Sequence, residues 1–431
     1  MPDTRVMTSD ASIESPPSFA VAARFWTQLG FISFGGPAGQ IAILHREVVE
    51  RREWINERDF TDALNFCMLL PGPEALQLAI YIGWKLHGVR GGLVAGLGFI
   101  LPAVVLLFAL SYVYVFYGGL AWLAGLLFGL KAAVIALVLQ ALIRIGRRAL
   151  RTPLHLGLAM ASFVALQFAQ VPFPWLLLVA ASIGAWRART VPAVHGDAGI
   201  TVVAHRTASS TLRTGAVGAM LWLVPLLAVT TTSGADSLWT GVYLFFTKAA
   251  LVTFGGAYAV LGYVTAELVG QLHWITASQS VAGLALAETT PGPLVIVLQF
   301  MGFMAGWNQP GAWSPTGSAL LAGALATWAT FLPSFVFIFL GAPHLERLTR
   351  RPLIGGALAA ITAAVVGVIA TLVWLLVRVV ILPAGWTAAP DWGALMLAVA
   401  AWLALERTKW PLAVVLAGCA LAGSGLRLLA G

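Results

Sequence analysis

The chain has few charged residues. Of its 431 residues, 10% are Asp, Glu, Lys or Arg and 59% are apolar, whereas soluble domains carry about 25% charged residues. The runs 91–116 and 353–377 contain no charged residue, and each exceeds the roughly 20 residues that cross a bilayer. The sequence therefore predicts a polytopic membrane protein. Its net charge of +8 is carried largely by arginines in short loops, so we expect the lipid bilayer, and no nucleic acid, as a partner.

Cysteine and the common catalytic motifs are also scarce. The two cysteines, Cys67 and Cys419, are isolated in apolar surroundings, which excludes a disulfide framework and a cysteine metal cluster. The seven histidines are scattered, and neither an HExxH motif nor a nucleotide-binding loop is present. The sequence favours neither an enzyme nor an ATP-driven pump, and it predicts no catalytic residue, no metal and no cofactor.

One stretch of the chain occurs twice, 220 positions apart. Residues 25–73 and 245–293 share 13 identities in 49 positions without a gap. Farther on, the match continues at an offset of 231, where Lys131–Val134 corresponds to Thr362–Val365. The second copy therefore has about 11 extra residues, which we place near 308–318. This pattern predicts a duplicated unit.

Basic loops predict the sidedness of the chain. Loops 46–58, 85–90, 144–151 and 187–213 carry the basic residues and are expected in the cytoplasm, whereas 264–280 and 303–318 contain no Lys or Arg. A single crossing at 215–232 would invert the second copy relative to the first. The predicted divisions are a cytoplasmic tail (1–23), a first repeat (24–152), a helical hairpin plus cytoplasmic loop (153–214), a connecting transmembrane helix (215–232), a second repeat (233–380) and C-terminal transmembrane helices (381–431).

The predicted fold is an all-α polytopic membrane protein of two inverted-topology repeats with about 13 apolar segments. The N-terminus is expected in the cytoplasm and the C-terminus in the periplasm. Whether the broken segments 25–44 and 60–83 span the membrane or re-enter it stays open. Re-entrant hairpins are favoured because they keep every basic loop of the first copy in the cytoplasm.

Each copy has two Gly/Pro breaks inside apolar segments, at 35–39, 71–73, 255–256 and 291–293. A break frees backbone groups that lipid cannot satisfy, so it must be buried in protein or line a watery cavity. The half-helix that follows presents free N–H groups and the positive end of its dipole. Four converging breaks would suit an oxyanion. The alternative is that the glycines only permit close packing and the prolines only kink the helices.

Polar residues near these breaks are further candidates. A charge at membrane depth costs roughly 2.5–3.5 kcal/mol, which makes Lys131, Lys248 and Glu288 candidates; the lysines could instead snorkel to an interface. The amides and the tyrosine could donate to an anion or to nearby backbone, and Glu74 is expected to cap a helix. The predicted substrate-binding residues are Gly35, Gly36, Gln40, Gly72, Gln77, Lys248, Gly255, Gly256, Tyr258, Glu288, Gly292 and Gln299.

The stretches 25–37 and 69–75, with their counterparts 253–256 and 287–293, resemble the paired motifs of the chromate ion transporter (CHR) family. The resemblance extends from about residue 20 to 425 and corresponds to the long, two-domain type. It implies export of chromate from the bacterial cytoplasm across the inner membrane, chromate resistance, and sulfate as the competing anion. Ala257 departs from the repeat, because the first copy has Pro37 there, so equal roles for the two halves do not follow.

Three other functions stay open at this point. The chain could export another tetrahedral oxyanion, such as sulfate or molybdate, and carry chromate incidentally. It could be a membrane-embedded reductase, which would need a redox cofactor, or a membrane subunit that transports nothing. The coupling ion, and whether the chain forms a homodimer, are not indicated by the sequence.

Overall fold

The computed structural model describes residues 17–169, 171–190, 208–254, 256–342 and 352–430. Within these ranges the chain forms sixteen α-helices and no strand, which confirms the all-α prediction. The first eight helices are α1 (Phe19–Ile32), α2 (Gly36–His45), α3 (Glu57–Cys67), α4 (Glu74–Tyr117), α5 (Ala121–Ala149), α6 (Pro153–Gln167), α7 (Phe173–Thr190) and α8 (Ala208–Ser233). The others are α9 (Leu238–Leu251), α10 (Ala257–Thr265), α11 (Ala277–Glu288), α12 (Val297–Asn308), α13 (Pro315–Gly341), α14 (Pro352–Leu376), α15 (Trp392–Glu406) and α16 (Leu412–Ala430).

Six of the described helices are long and apolar enough to cross a membrane, namely α4, α5, α8, α13, α14 and α16. The chain is therefore a multi-pass membrane protein. The sixteen helices exceed the 13 expected apolar segments because Gly/Pro breaks divide four of those segments into two helices each, whereas α4 joins the end of one segment to the next. A further break lies inside α4, where Gly88 has a φ of 62°, a conformation that favours glycine.

The two copies have the same local structure. Ser33 and Thr253, at matching positions, each donate their hydroxyl to the carbonyl four residues earlier, at 2.6 Å. Trp54 and Trp274 each donate their backbone N–H to the carbonyl six residues earlier, at 2.8 and 2.9 Å. Each copy also has a π-helical turn at the matching place, Arg46–Arg51 and Ala266–Gln271. The bounds of the two repeats, and their inverted orientation, stay predictions.

The two terminal hairpins pack on the opposite copy. The long helices α5 and α14 contact each other at the centre. The hairpin α6–α7 follows α5 in the chain but packs on α14, and the hairpin α15–α16 follows α14 but packs on α5. Glycines permit this close packing: a Cβ at Gly129 would lie 1.8 Å from the carbonyl oxygen of Cys419, and one at Gly184 would lie 2.2 Å from that of Gly356.

The first half-helices of the two copies are buried to different extents. All nine residues of α10 are buried, and α10 packs against α14. Its counterpart α2 has two buried residues of ten, Gln40 and Leu44. Matching segments of the two copies therefore have different surroundings, and the difference leaves a cavity beside α2.

The topology can be tested by labelling. With the buried Cys67 and Cys419 replaced by Ala, a cysteine at Gln271 is expected to react with an impermeant maleimide from the periplasm. A cysteine at Arg51 is expected to react only from the cytoplasm, because its basic loop belongs to the cytoplasmic set. Labelling of both positions from the same side would contradict the inverted arrangement.

The packing of α5 on α16 can be tested with a pair of glycines. Gly129→Val is expected to destabilise the fold by about 1–3 kcal/mol or more, because its side chain must displace the α16 backbone. Gly157→Val should change the stability by less than about 0.5 kcal/mol, since nothing lies within 4 Å of a Cβ at Gly157. Thermal unfolding in detergent measures both, and equal melting temperatures would rule out this contact as a determinant of stability.

Candidate anion-binding cavity

The two Pro-Gly-Pro breaks pair with the other copy through their backbones. The N–H of Gly72 donates to the carbonyl of Thr253 at 2.8 Å, and the N–H of Gly292 donates to the carbonyl of Ser33 at 2.8 Å. These positions match at the 220-residue offset, so the two bonds are reciprocal and relate the copies by an approximate two-fold axis. Two amides that the sequence predicted to bind substrate are used in this pairing.

Three glutamines satisfy carbonyls near the breaks. Gln40, Gln77 and Gln299 are each no more than 1% exposed. The side-chain amide of Gln40 donates to the backbone carbonyls of Ser33 and Gly292. That of Gln77 donates to the carbonyl of Pro71 at 2.8 Å, and that of Gln299 donates to the carbonyl of Val104 at 2.9 Å. In this structure they hold the broken segments together, which is the second of the two roles that the sequence left open for them.

A cavity of about 1200 Å³ lies between α2, α3, α5, α14 and the start of α10. The N-terminal residues of two half-helices line it, Pro37 and Ala38 of α2, and Ala257 and Tyr258 of α10. No side chain caps either N-terminus. Each half-helix therefore presents free N–H groups and the positive end of its dipole to the cavity, although Pro37 has no N–H and α2 offers one donor fewer than α10.

The first break of each copy keeps the backbone accessible at this cavity. Gly36 and Gly256 have φ angles of 67° and 96°, in the region that favours glycine, and no atom of the described residues lies within 4 Å of a Cβ built on either. Gly35, the residue before α2, has a φ of 93° and is exposed. Gly255 lies outside the described residues.

Arginines supply positive charge to the cavity. Arg144, Arg148 and Arg151 lie at positions i, i+4 and i+7 along α5 and just beyond it, and all line the cavity. Among the described residues, none of the three forms an ion pair within 4 Å. The arginines of the π-helical turn differ, because Arg46, Arg51 and Arg52 all lie within 4 Å of the buried carboxylate of Glu47.

The acidic residues of the cavity are largely engaged. Glu50 and Glu57 contact the two ring nitrogens of His45 at 3.1 and 2.6 Å. Glu74 is the first residue of α4 and lines the cavity, and among the described residues its side chain makes no hydrogen bond that would cap the helix, so its capping role stays a prediction. The acid–histidine contacts leave the arginine face of α5 as the positive side of the cavity.

Two predicted site residues meet behind the wall of the cavity, which Tyr258 lines and Glu288 does not. The hydroxyl of Tyr258 donates to Oε1 of Glu288 at 2.7 Å, and the two side chains are 7% and 6% exposed. Arg144 interacts electrostatically with both groups. The Glu288 carboxylate therefore balances part of the Arg144 charge, and an anion entering the cavity would compete with it.

The two candidate lysines lie apart from this cavity. Lys248 is exposed in the last turn of α9 and is not among the residues that line this cavity. Lys131 donates from Nζ to the hydroxyl of Ser278 at 2.9 Å.

Sequence reasoning did not identify the arginine face of α5. The sequence indicates only a topology role for its arginines, and the structure shows that they also line the cavity. The i, i+4, i+7 spacing of Arg144, Arg148 and Arg151 was a usable signal, because such residues share one face of a helix.

A second groove, of about 800 Å³, lies between α4, α8 and α13. Its lining is almost entirely apolar, and Arg213 is its only charged member among the described residues. Convergent polar groups usually mark a binding site, and this groove lacks them. The 1200 Å³ cavity is therefore the candidate site.

The chain matches known proteins over most of its length. The sequence profile described as "Chromate transporter" matches residues 21–185 and again 240–424, so each match contains one copy and its terminal hairpin. The chromate transport protein of Cupriavidus metallidurans is 29% identical over 432 residues, covering 98% of this chain and 96% of that protein. The one from Pseudomonas aeruginosa is 34% identical over 372 residues, covering 84% and 82%.

A probable chromate transport protein of Synechococcus elongatus is 27% identical over 379 residues, covering 86% of this chain and 88% of that protein. No solved structure matches the chain significantly. The profile match in both copies, together with the long alignment to the Pseudomonas aeruginosa protein, establishes the family. The chain belongs to the chromate transporter family.

Proposed function

We propose that this protein exports chromate from the cytoplasm across the bacterial inner membrane and thereby confers chromate resistance. The observation that carries the proposal is the cavity into which two helix N-termini and three arginines converge, with no capping side chain and no ion pair within 4 Å among the described residues. Helix N-termini bind oxyanions through backbone N–H groups and the helix dipole. Arginines raise the local concentration of an anion before it binds.

The position of the cavity supports loading from the cytoplasm. Its lining includes Arg46 and Arg151, which belong to two of the basic loops of the first copy. Basic loops are retained in the cytoplasm. A cavity that opens among them would admit a cytoplasmic anion.

The donors of the cavity suit a tetrahedral dianion. Backbone N–H groups at the starts of α2 and α10 would face its oxygens from two directions, and Arg144 would balance its charge. Donors of this kind recognise charge and shape, so sulfate, a tetrahedral dianion of similar shape, is expected to compete. Dipoles and hydrated arginines hold an anion loosely enough to release it, as transport requires.

The membrane potential is sufficient to drive export. A dianion that leaves a negative interior moves two charges, each worth about 2.3 kcal/mol per 100 mV, so roughly 4.6 kcal/mol is available at that voltage. At about 1.4 kcal/mol per decade, this supports an outward gradient of roughly 10³. We therefore favour uniport, with Glu288 adjusting the charge of the site. In a proton-coupled exchanger, Glu288 would carry the proton instead.

Two arginines on adjacent faces of α5 test the site. Arg144→Gln is expected to raise the KM for chromate at the cytoplasmic face a little over tenfold, corresponding to roughly 1.5 kcal/mol for one charged hydrogen bond. Arg147→Gln is the matched control, because Arg147 is exposed and does not line the cavity. Initial uptake rates of labelled chromate into everted vesicles measure both. Equal KM values for the two variants would place the substrate elsewhere.

Everted vesicles also test the driving force. With an inside-positive potential and no pH gradient, they are expected to accumulate chromate, and added sulfate should reduce the initial rate. Glu288→Gln is expected to lower the rate without abolishing accumulation, because the carboxylate only adjusts the charge near Arg144. Uptake that requires a pH gradient and disappears in Glu288→Gln would show proton coupling and refute uniport.

A further inference from the structure

Thr362, the residue of the second copy that corresponds to Lys131, lines the 1200 Å³ cavity, which is called the open cavity below. The cavity receives Leu358, Ala359, Ile361 and Thr362 from α14. At the 231-residue offset, the counterpart of Thr362 is Lys131, on α5. A cavity built in the same way around the second copy would therefore have Lys131 in its wall, together with α10 and α11.

In this structure the counterpart of the open cavity is closed. His45 and Phe60 line the open cavity, with ring centroids 5.0 Å apart. Their counterparts Thr265 and Ser280 are buried, and their hydroxyls are hydrogen-bonded at 2.6 Å. The helix α11 packs against α5, and the half-buried Lys131 contacts Ser278 at its first turn. The second copy thus encloses a polar face that the first copy leaves open.

The reciprocal bonds of Gly72 and Gly292 relate the two copies by an approximate two-fold axis. In the observed arrangement the cavity separates α2 and α3 from α5, whereas α10 and α11 pack against α14 and α5. The two-fold relation therefore predicts a counterpart arrangement in which the two copies exchange these conformations. If the copies are inverted, the counterpart opens to the periplasm.

We propose that Lys131 is the cationic residue of this exit cavity and contacts the oxyanion before its release. The inference rests on the proposed function, since an exit site requires transport. The two cavities would differ in charge. The positions of Arg144, Arg148 and Arg151 are occupied in the second copy by Leu375, Val379 and Leu382. One lysine at the exit, against four arginines that line the entrance, of which Arg46 is paired with Glu47, favours release of a dianion into the periplasm.

The test compares KM values for labelled chromate at the two faces of the membrane, using the full chain in everted and in right-side-out vesicles. Lys131→Gln is expected to raise the KM at the periplasmic face roughly five- to tenfold, as expected for one charge removed from a hydrated anion site. The KM at the cytoplasmic face should not change. Arg144→Gln should give the opposite pattern, and Lys131→Arg should retain most of the periplasmic affinity.

The Ser278→Ala variant distinguishes two roles of Lys131, as a ligand of the anion and as a packing residue between α5 and α11. If Lys131 only holds α11 against α5, Ser278→Ala would reproduce the effect of Lys131→Gln; if Lys131 contacts the anion, the periplasmic KM of Ser278→Ala stays at the wild-type value. Reproduction by Ser278→Ala, or an equal KM change at both faces in Lys131→Gln, would overturn the inference. An absence of saturable chromate uptake in the wild type would instead refute the proposed function.

A second measurement applies if Lys131→Gln does not reach the membrane. Thr265 lies in the closed face and is 2% exposed, and the measurement uses Thr265→Cys in a chain without Cys67 and Cys419. The reaction of this variant with an impermeant maleimide from the periplasm is expected to accelerate several-fold during chromate turnover. A rate that is the same with and without chromate would overturn the exchange of conformations on which the exit cavity depends.

Discussion

Backbone groups that leave a helix inside a membrane have no water to bond, and this constraint governs the centre of the molecule. The second break of each copy meets it through the other copy, since Gly72 bonds Thr253 and Gly292 bonds Ser33. Gln40 reinforces the arrangement by reaching from α2 to the carbonyl of Gly292. In this structure neither copy satisfies the N–H of its second break alone, so each copy depends on the other for that hydrogen bond.

The same constraint separates the four breaks into two classes. The breaks at 71–73 and 291–293 are used to join the copies, so their amides are unavailable to a substrate in this state. The breaks before α2 and α10 have uncapped N-termini beside an open cavity. Their unsatisfied donors are tolerated because the cavity can hold water or an anion. The repeated Gly/Pro breaks thus serve in one pair to join the two copies and in the other pair to leave donors available beside the cavity.

The positions of the breaks and of the long apolar spans were predictable from the sequence, because they depend on local chemistry. Glycines and prolines repeated at a fixed offset indicate breaks, and charge-free runs indicate spans, because both depend on nearby residues. Partners across the fold were not predictable: Gln40 and Gly292 are 252 positions apart, and no periodicity indicates that contact. The exposure of Lys248 depends on which helices cover α9. That Arg144 lines the cavity was not predictable either, because a basic residue that signals topology looks the same in the sequence as one that faces a cavity.

The exchanged hairpins explain how the centre could stay intact while the cavities alternate. The hairpin α15–α16 holds α5, the hairpin α6–α7 holds α14, and these long helices contact each other. Glycine-mediated packing such as that of Gly129 on Cys419 leaves little room for sliding. The units α2–α3 and α10–α11 lie outside this frame and are joined to α1 and α4, and to α9 and α12, by short breaks at glycines, where the backbone can change direction at low cost. A fixed frame with two hinged units concentrates the motion at the ends of the half-helices, which are the places where the anion is held.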